Sequence, residues 1–170
     1  MRCIADSTLT PSATPSPGPE PAAPVPLRGF SLRDVPFVAS IVTEALHEQY
    51  DPSLYVSLSD AWPDGFLIAT DVLGRPIGFL LGVHQIEGEG RVLMFAVDRD
   101  HRRAGVGTAL MEEFLRRARG KGLRRASLEV RVGNATAIRF YTRFGYSVVD
   151  LLRGYYSDGE NGYQMARDLL

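Results

Sequence analysis

Two spacings of apolar residues alternate along the chain after residue 26, and each predicts an element. Leu27 to Leu32 reads as a first strand. Asp34 and Pro36 open a helix that carries Phe37, Val38, Ile41, Val42, Ala45 and Leu46 at helical spacing. Asp51-Pro52 opens a second, with Leu54, Tyr55, Leu58 and Trp62. Phe66 to Thr70 is the next strand, Leu73 to Pro76 a turn, and Ile77 to Ile86 a further strand. Glu87 to Gly90 is a hairpin feeding the apolar strand Val92 to Val97. A long helix follows, closed by Gly120 and Gly122. In Ser127 to Val132 the apolar Leu128, Val130 and Val132 alternate with Glu129 and Arg131, the signature of a half-buried strand. Asn134 caps a helix whose Ala137, Phe140, Tyr141 and Phe144 share a face, and Gly145 ends it. Tyr146 to Leu152 and Gly162 to Leu169 are the last strands, joined through Ser157-Asp158-Gly159-Glu160. This order predicts an α/β fold with a parallel crossover in its second half.

Residues 1–26 break the pattern. They hold seven of the eleven prolines and almost no large apolar side chain, so they are expected to form a disordered tail ahead of one domain at 27–170. At 170 residues the chain is long enough for one domain with a sizeable core. The formal net charge of −1 gives no sign of a polyanion-binding surface, and no nucleic-acid partner is expected. Cys3 is the only cysteine, which excludes an intramolecular disulfide and a cysteine zinc site. No apolar run reaches the length of a membrane span, and the start lacks the apolar block of a signal peptide, so the expected location is the cytoplasm.

The chemistry gathers between the strand ending at Val97 and the helix after it. Arg102, Arg103, Gly105 and Gly107 cluster where that helix begins. The first N–H groups of a helix lack intrahelical partners, and the peptide dipoles place partial positive charge there. Glycines allow close approach, and arginines add charge-assisted hydrogen bonds, so a phosphate or pyrophosphate suits the loop. The dinucleotide pattern G-x-G-x-x-G fails at Leu110, and the P-loop pattern lacks Gly-Lys-Ser/Thr.

Arg-x-x-Gly-x-Gly between strand and helix resembles the acyl-CoA pyrophosphate loop of the GNAT superfamily of N-acetyltransferases. The run Leu128-Glu129-Val130-Arg131-Val132-x-Asn134-x-x-Ala137-Ile138-x-x-Tyr141-x-x-x-Gly145-Tyr146 is similar to the second half of that domain. Leu-Glu-Val-Arg and the ending Arg153-Gly154-Tyr155-Tyr156-Ser157-Asp158-Gly159-Glu160 resemble the protein N-terminal acetyltransferases, including those acting on ribosomal-protein alanines. The resemblance implies a GNAT fold with a mixed central sheet of about seven strands flanked by about four helices. It implies acetyl-CoA as co-substrate, no metal, and a protein or peptide N-terminus, such as a ribosomal protein's, as acceptor, the enzyme being a monomer or homodimer. Carried over, Phe95, Ala96 and Val97 would meet pantetheine. Arg102, Arg103, Ala104, Gly105, Val106, Gly107 and Thr108 would cradle the pyrophosphate, and Asn134 would sit by the pantetheine arm.

For chemistry the resemblance implies Glu129 as base, Tyr141 as acid to the leaving thiolate, and Tyr155 and Tyr156 as binders of the acceptor peptide. From the residues alone, Glu129 equally fits the solvated face of a strand, and Tyr141 equally fits the core. An α-amine, with a pKa of about 7.7–8.0, is partly neutral at pH 7 and asks little of a base, unlike a lysine at about 10.4. Gly154 stands where the family often has Asn, and Asn161-Gly162 where it has Asp-Ala, so a small amine, a lysine side chain or a non-catalytic acyl-CoA-binding role stays open.

Overall fold

In the computed structural model, residues 24–46, 49–85 and 88–169 are described. Seven strands form one sheet: β1 (Leu27–Gly29), β2 (Phe66–Thr70), β3 (Pro76–Gln85), β4 (Glu89–Val97), β5 (Arg125–Arg131), β6 (Ser147–Leu152) and β7 (Gly162–Asp168). Their order is β1-β2-β3-β4-β5-β7-β6. Only β4 and β5 run parallel, as the crossover through α3 (Val106–Gly120) requires. The remaining α-helices are α1 (Val35–Ile41), which continues into a π turn at Val42–Leu46, α2 (Pro52–Ala61) and α4 (Ala135–Arg143). Among the described residues no helix is long and apolar enough to cross a membrane.

The expected elements are present, with local differences. The first strand stops at Gly29, and Leu32–Asp34 turn as a 3-10 helix. Residues 1–23 of the expected tail lie outside the described residues, as does Glu87 of the hairpin. Pro24–Pro26 belong with the domain: Val25 packs on the core, and the Pro26 carbonyl accepts a bond from the Thr70 N–H at 2.9 Å. Asp51 caps α2 by accepting from Ser53 N, but Asp34 does not cap α1 with its side chain.

The Asp34 carboxylate turns back instead, accepting from Ser31 N, Ser31 Oγ and the Arg28 guanidinium at 2.7–2.9 Å. Burial alone would raise its pKa, but those donors outweigh burial and hold it below the usual carboxylate value. Asp34→Asn is expected to cost about 1–2 kcal/mol at pH 7 in urea melts. A lowered folded pKa contributes stability above the unfolded value of about 3.9 and loses it as pH falls through the folded one, so the two proteins should converge in stability toward strong acid.

Two apolar layers sandwich the sheet. On one face, Val106, Leu110, Met111 and Phe114 of α3 and Tyr141 of α4 cover Leu67, Leu80, Val92, Leu128, Val130 and Met165. On the other, Val38, Ile41, Val42 and Tyr55 cover Phe66, Ile68, Phe79, Leu81, Met94 and Ala96. Strand β4 changes face between Val92 and Met94. Leu81 pairs with Met94 and Gly82 with Val92, which leaves Leu93 as an extra, bulged residue. A bulge re-aims every side chain that follows it.

Candidate active site

The β4–β5 ladder pairs Glu89 with Arg125, Gly90 with Ala126, Arg91 with Ser127 and Val92 with Leu128, and there it ends. Beyond that apex β5 continues its pairing with β7, and β4 continues with β3. The two parallel strands therefore part into a cleft that opens toward their carboxyl ends. This is where open α/β sheets place ligands. Phe95, Ala96 and Val97 line the β4 side of the opening. Their ladder to β3 is complete, so alternate backbone groups face the cleft.

Past Val97 the chain enters the anion loop at the open end. Arg102 Nε donates to the Val97 carbonyl at 3.0 Å, tying the loop to the strand. His101 pairs with Asp98 beside it. Arg103 and Gly105 are left-handed, with φ of 65° and 81°. Such residues aim successive N–H groups into one concavity. The Ala109 N–H is bonded to the Gly105 carbonyl, so the N–H groups of Val106, Gly107 and Thr108 are the orphan donors of α3. A Cβ at Gly107 would stand 3.3 Å from the Phe95 ring, so glycine lets the loop close onto β4. These donors, with Arg102 and Arg103, fit a pyrophosphate.

At the apex lies an ion pair. Glu129 follows Leu128 by one residue and Arg91 precedes Val92 by one, so both project to the α1/α2 face of the sheet. Arg91 Nε and Nη2 lie 2.8 and 2.7 Å from the same carboxylate oxygen, Glu129 Oε2. Arg91 Nη2 also donates to the Tyr155 hydroxyl at 3.0 Å. Burial works against the Arg91 charge, but its contacts with Glu129 and Tyr155 outweigh burial and hold its pKa above the ordinary value.

Tyr141 lies across the sheet, in the α3/α4 layer, its ring against Phe95, Phe140 and Tyr146. Its hydroxyl has no hydrogen-bond partner among the described residues, and burial raises its pKa. Burial pushes the Tyr156 pKa up to about 12, against the lowering influence of Arg131. Tyr155 and Tyr156 sit in the β6–β7 loop and meet edge to face, 5.1 Å apart. Arg131 holds that loop: it bonds Asp158 and Glu160 at 2.8 and 2.6 Å, and its guanidinium lies 4.0 Å over the Tyr156 ring. Asn134 caps α4, its side-chain oxygen taken by Ala137 N, which leaves its amide nitrogen for a ligand.

The structure links Glu129 and Tyr155 through Arg91, sets Tyr156 against Tyr155 and under Arg131, and places Phe95–Val97 past the end of the β4–β5 ladder, leading into the anion loop. Arg91 and Arg131 were missed as parts of the site. The available signal was a lone cation inside the apolar run Gly90 to Val97 and a second beside the Glu129 strand. Tyr55 and Trp62 pack in the core at 0% and 2% exposure.

A cleft between splayed parallel strands, leading to a glycine-bearing helix start, is the arrangement that the resemblance to the N-acetyltransferases implies. The chain belongs to the acetyltransferase (GNAT) family, whose model matches residues 35–146. It is similar to an N-alpha-acetyltransferase of Sulfurisphaera tokodaii, 32% identical over 155 residues that span 84% of this chain and 92% of that protein. It superposes on Ard1 from Thermoplasma volcanium with a TM-score of 0.82 and 40% identity, over 87% of this chain and 99% of that one. It also superposes on Chaetomium thermophilum Naa20, solved with a bisubstrate analogue, with a TM-score of 0.77 and 26% identity, over 85% and 86%.

Proposed function

We propose that this protein transfers the acetyl group of acetyl-CoA directly to the α-amine of a protein or peptide N-terminus. The observation that carries the reading is the cleft itself, with the anion loop at its open end and the Arg91–Glu129 pair at its apex. The pyrophosphate is assigned to the α3 N-terminus and Arg102–Thr108. The pantetheine runs along Phe95–Val97 past Asn134, which brings the thioester to the apex. The acceptor enters from the α1/α2 face past Tyr155 and Tyr156. The likeness to N-alpha-acetyltransferases supports an α-amine as acceptor.

In this reading the neutral amine nitrogen attacks the thioester carbonyl carbon. Its excess proton passes, directly or through water, to the Glu129 oxygen that Arg91 leaves free. As the carbon–sulfur bond breaks, the departing sulfur takes the Tyr141 phenolic proton, giving the amide and free CoA thiol. Bulk water then restores both groups. Binding both substrates along one cleft supplies proximity, which matters because an α-amine needs little activation.

The test is incubation with acetyl-CoA and short peptides of varied first residue, each with one internal lysine. Thiol release measures turnover, and fragment mass spectrometry locates the acetyl group. Acetyl on the α-nitrogen is the expected product. Acetyl on lysine only, or turnover of small amines without peptides, would assign another acceptor class, and acetyl-CoA binding without any transfer would make the domain a binding module.

A further inference from the structure

We propose that Arg91 is a positioning residue of the acceptor site, holding the Glu129 carboxylate and the Tyr155 hydroxyl in fixed relation across the cleft. The proposal rests on the reading of Glu129 as base, and the experiment below separates the two. Arg91 is well placed to act as a fixed point. It is paired through the backbone with Val83 on β3 and Ser127 on β5, in the last step but one before the ladder ends. Glu129 and Tyr155 lie just beyond that end, on a different strand and on a loop. A single guanidinium therefore ties the last paired stretch of β4 to two groups just past the ladder's end.

The bond pattern gives the tie a direction. Arg91 Nε donates to Oε2 and the charged Nη2 lies 2.7 Å from the same oxygen, so Oε1 is left to receive a proton. The guanidinium presents two nitrogens to Oε2 and shares one of them with Tyr155, which a single ammonium would not do. The same Nη2 reaches the hydroxyl of Tyr155, a residue 44% exposed whose ring is braced by Tyr156 under Arg131. Each tyrosine of the loop is thus held by an arginine from a different arm of the splay, Tyr155 from β4 and Tyr156 from β5. Among the described residues Arg91 pairs with Glu129, whose β7 neighbour in the ladder is the uncharged Gln164.

Steady-state kinetics with acetyl-CoA and an accepted peptide test this with Arg91→Met, Arg91→Lys, Tyr155→Phe, Glu129→Gln and the double variants that include Arg91→Met. Arg91→Met is expected to lower kcat about 10-fold and raise the peptide KM about 10-fold, leaving the KM for acetyl-CoA within about 2-fold. Tyr155→Phe should raise the peptide KM alone, and adding it to Arg91→Met should raise KM no further. Glu129→Gln should cost much less kcat in the Arg91→Met background than in the parent, because the coupled residues act as one unit. Arg91→Lys should recover part of kcat and none of KM. Effects that simply multiply would overturn the proposal, as would losses explained by a lower melting temperature or a rise confined to the KM for acetyl-CoA. If Glu129→Gln alone leaves kcat unchanged, the base reading fails, and the Arg91–Tyr155 coupling in KM then decides whether Arg91 positions the loop.

Discussion

Glu129→Gln should lower kcat for a peptide acceptor about 100-fold at pH 7, and by far less at pH 9. The pH contrast follows from the acceptor. An α-ammonium with a pKa of about 7.7–8.0 is mostly charged at pH 7 and mostly neutral at pH 9, so the demand for a base falls across that interval. Glutamine keeps the shape of the side chain and one oxygen for Arg91, but it cannot take a proton. A loss of about 100-fold corresponds to about 2.7 kcal/mol of transition-state stabilisation, within the ordinary reach of one proton-transfer group. Thiol release at saturating peptide, measured at both pH values, decides the matter. An equal loss at both would show that the carboxylate acts through its ion pair rather than as a proton acceptor. Melting curves of the variant exclude unfolding as the cause, since Glu129 is only 11% exposed and Arg91 keeps a charge there.

Periodicity predicted the elements well because most of them bury one face. The α4 face of Ala137, Phe140, Tyr141 and Phe144 and the alternation in β5 are of this kind, and both are found where the spacing put them. The bulge at Leu93 was not legible. Val92 to Val97 is apolar throughout, so no polar residue marks the point at which the strand changes face, and both layers accept the same residue types. Asp34 misled for a different reason: an Asp before Pro36 satisfies the capping rule, but the Arg28 guanidinium and Ser31 offer its buried carboxylate stronger partners. The site divides in the same way. The glycine and arginine spacing of the anion loop carries its own physics and could be read directly. The pairing of Arg91 with Glu129 joins residues far apart in the chain and depends on strand register, which no local pattern encodes.

The loss from Tyr141→Phe should fall on kcat, about 10- to 100-fold, with the KM for acetyl-CoA and the melting temperature nearly unchanged. Stability should hold because the hydroxyl has no hydrogen-bond partner among the described residues, so its removal breaks no bond and leaves the ring contacts with Phe95, Phe140 and Tyr146 in place. Burial raises the Tyr141 pKa, and a phenol with a raised pKa keeps its proton at every pH below it. The donor is therefore present throughout neutral and mildly alkaline solution, and no alkaline loss of activity in that range should trace to this residue. What the hydroxyl contributes is a proton for a sulfur whose conjugate acid, an alkyl thiol, has a pKa of about 8.5. An acetyl ester of an aromatic thiol, whose thiolate leaves without protonation, should narrow the gap between the parent enzyme and Tyr141→Phe. An undiminished gap would mean that the hydroxyl orders the pantetheine arm rather than protonating the sulfur, and Tyr156 would then be the next acid to replace.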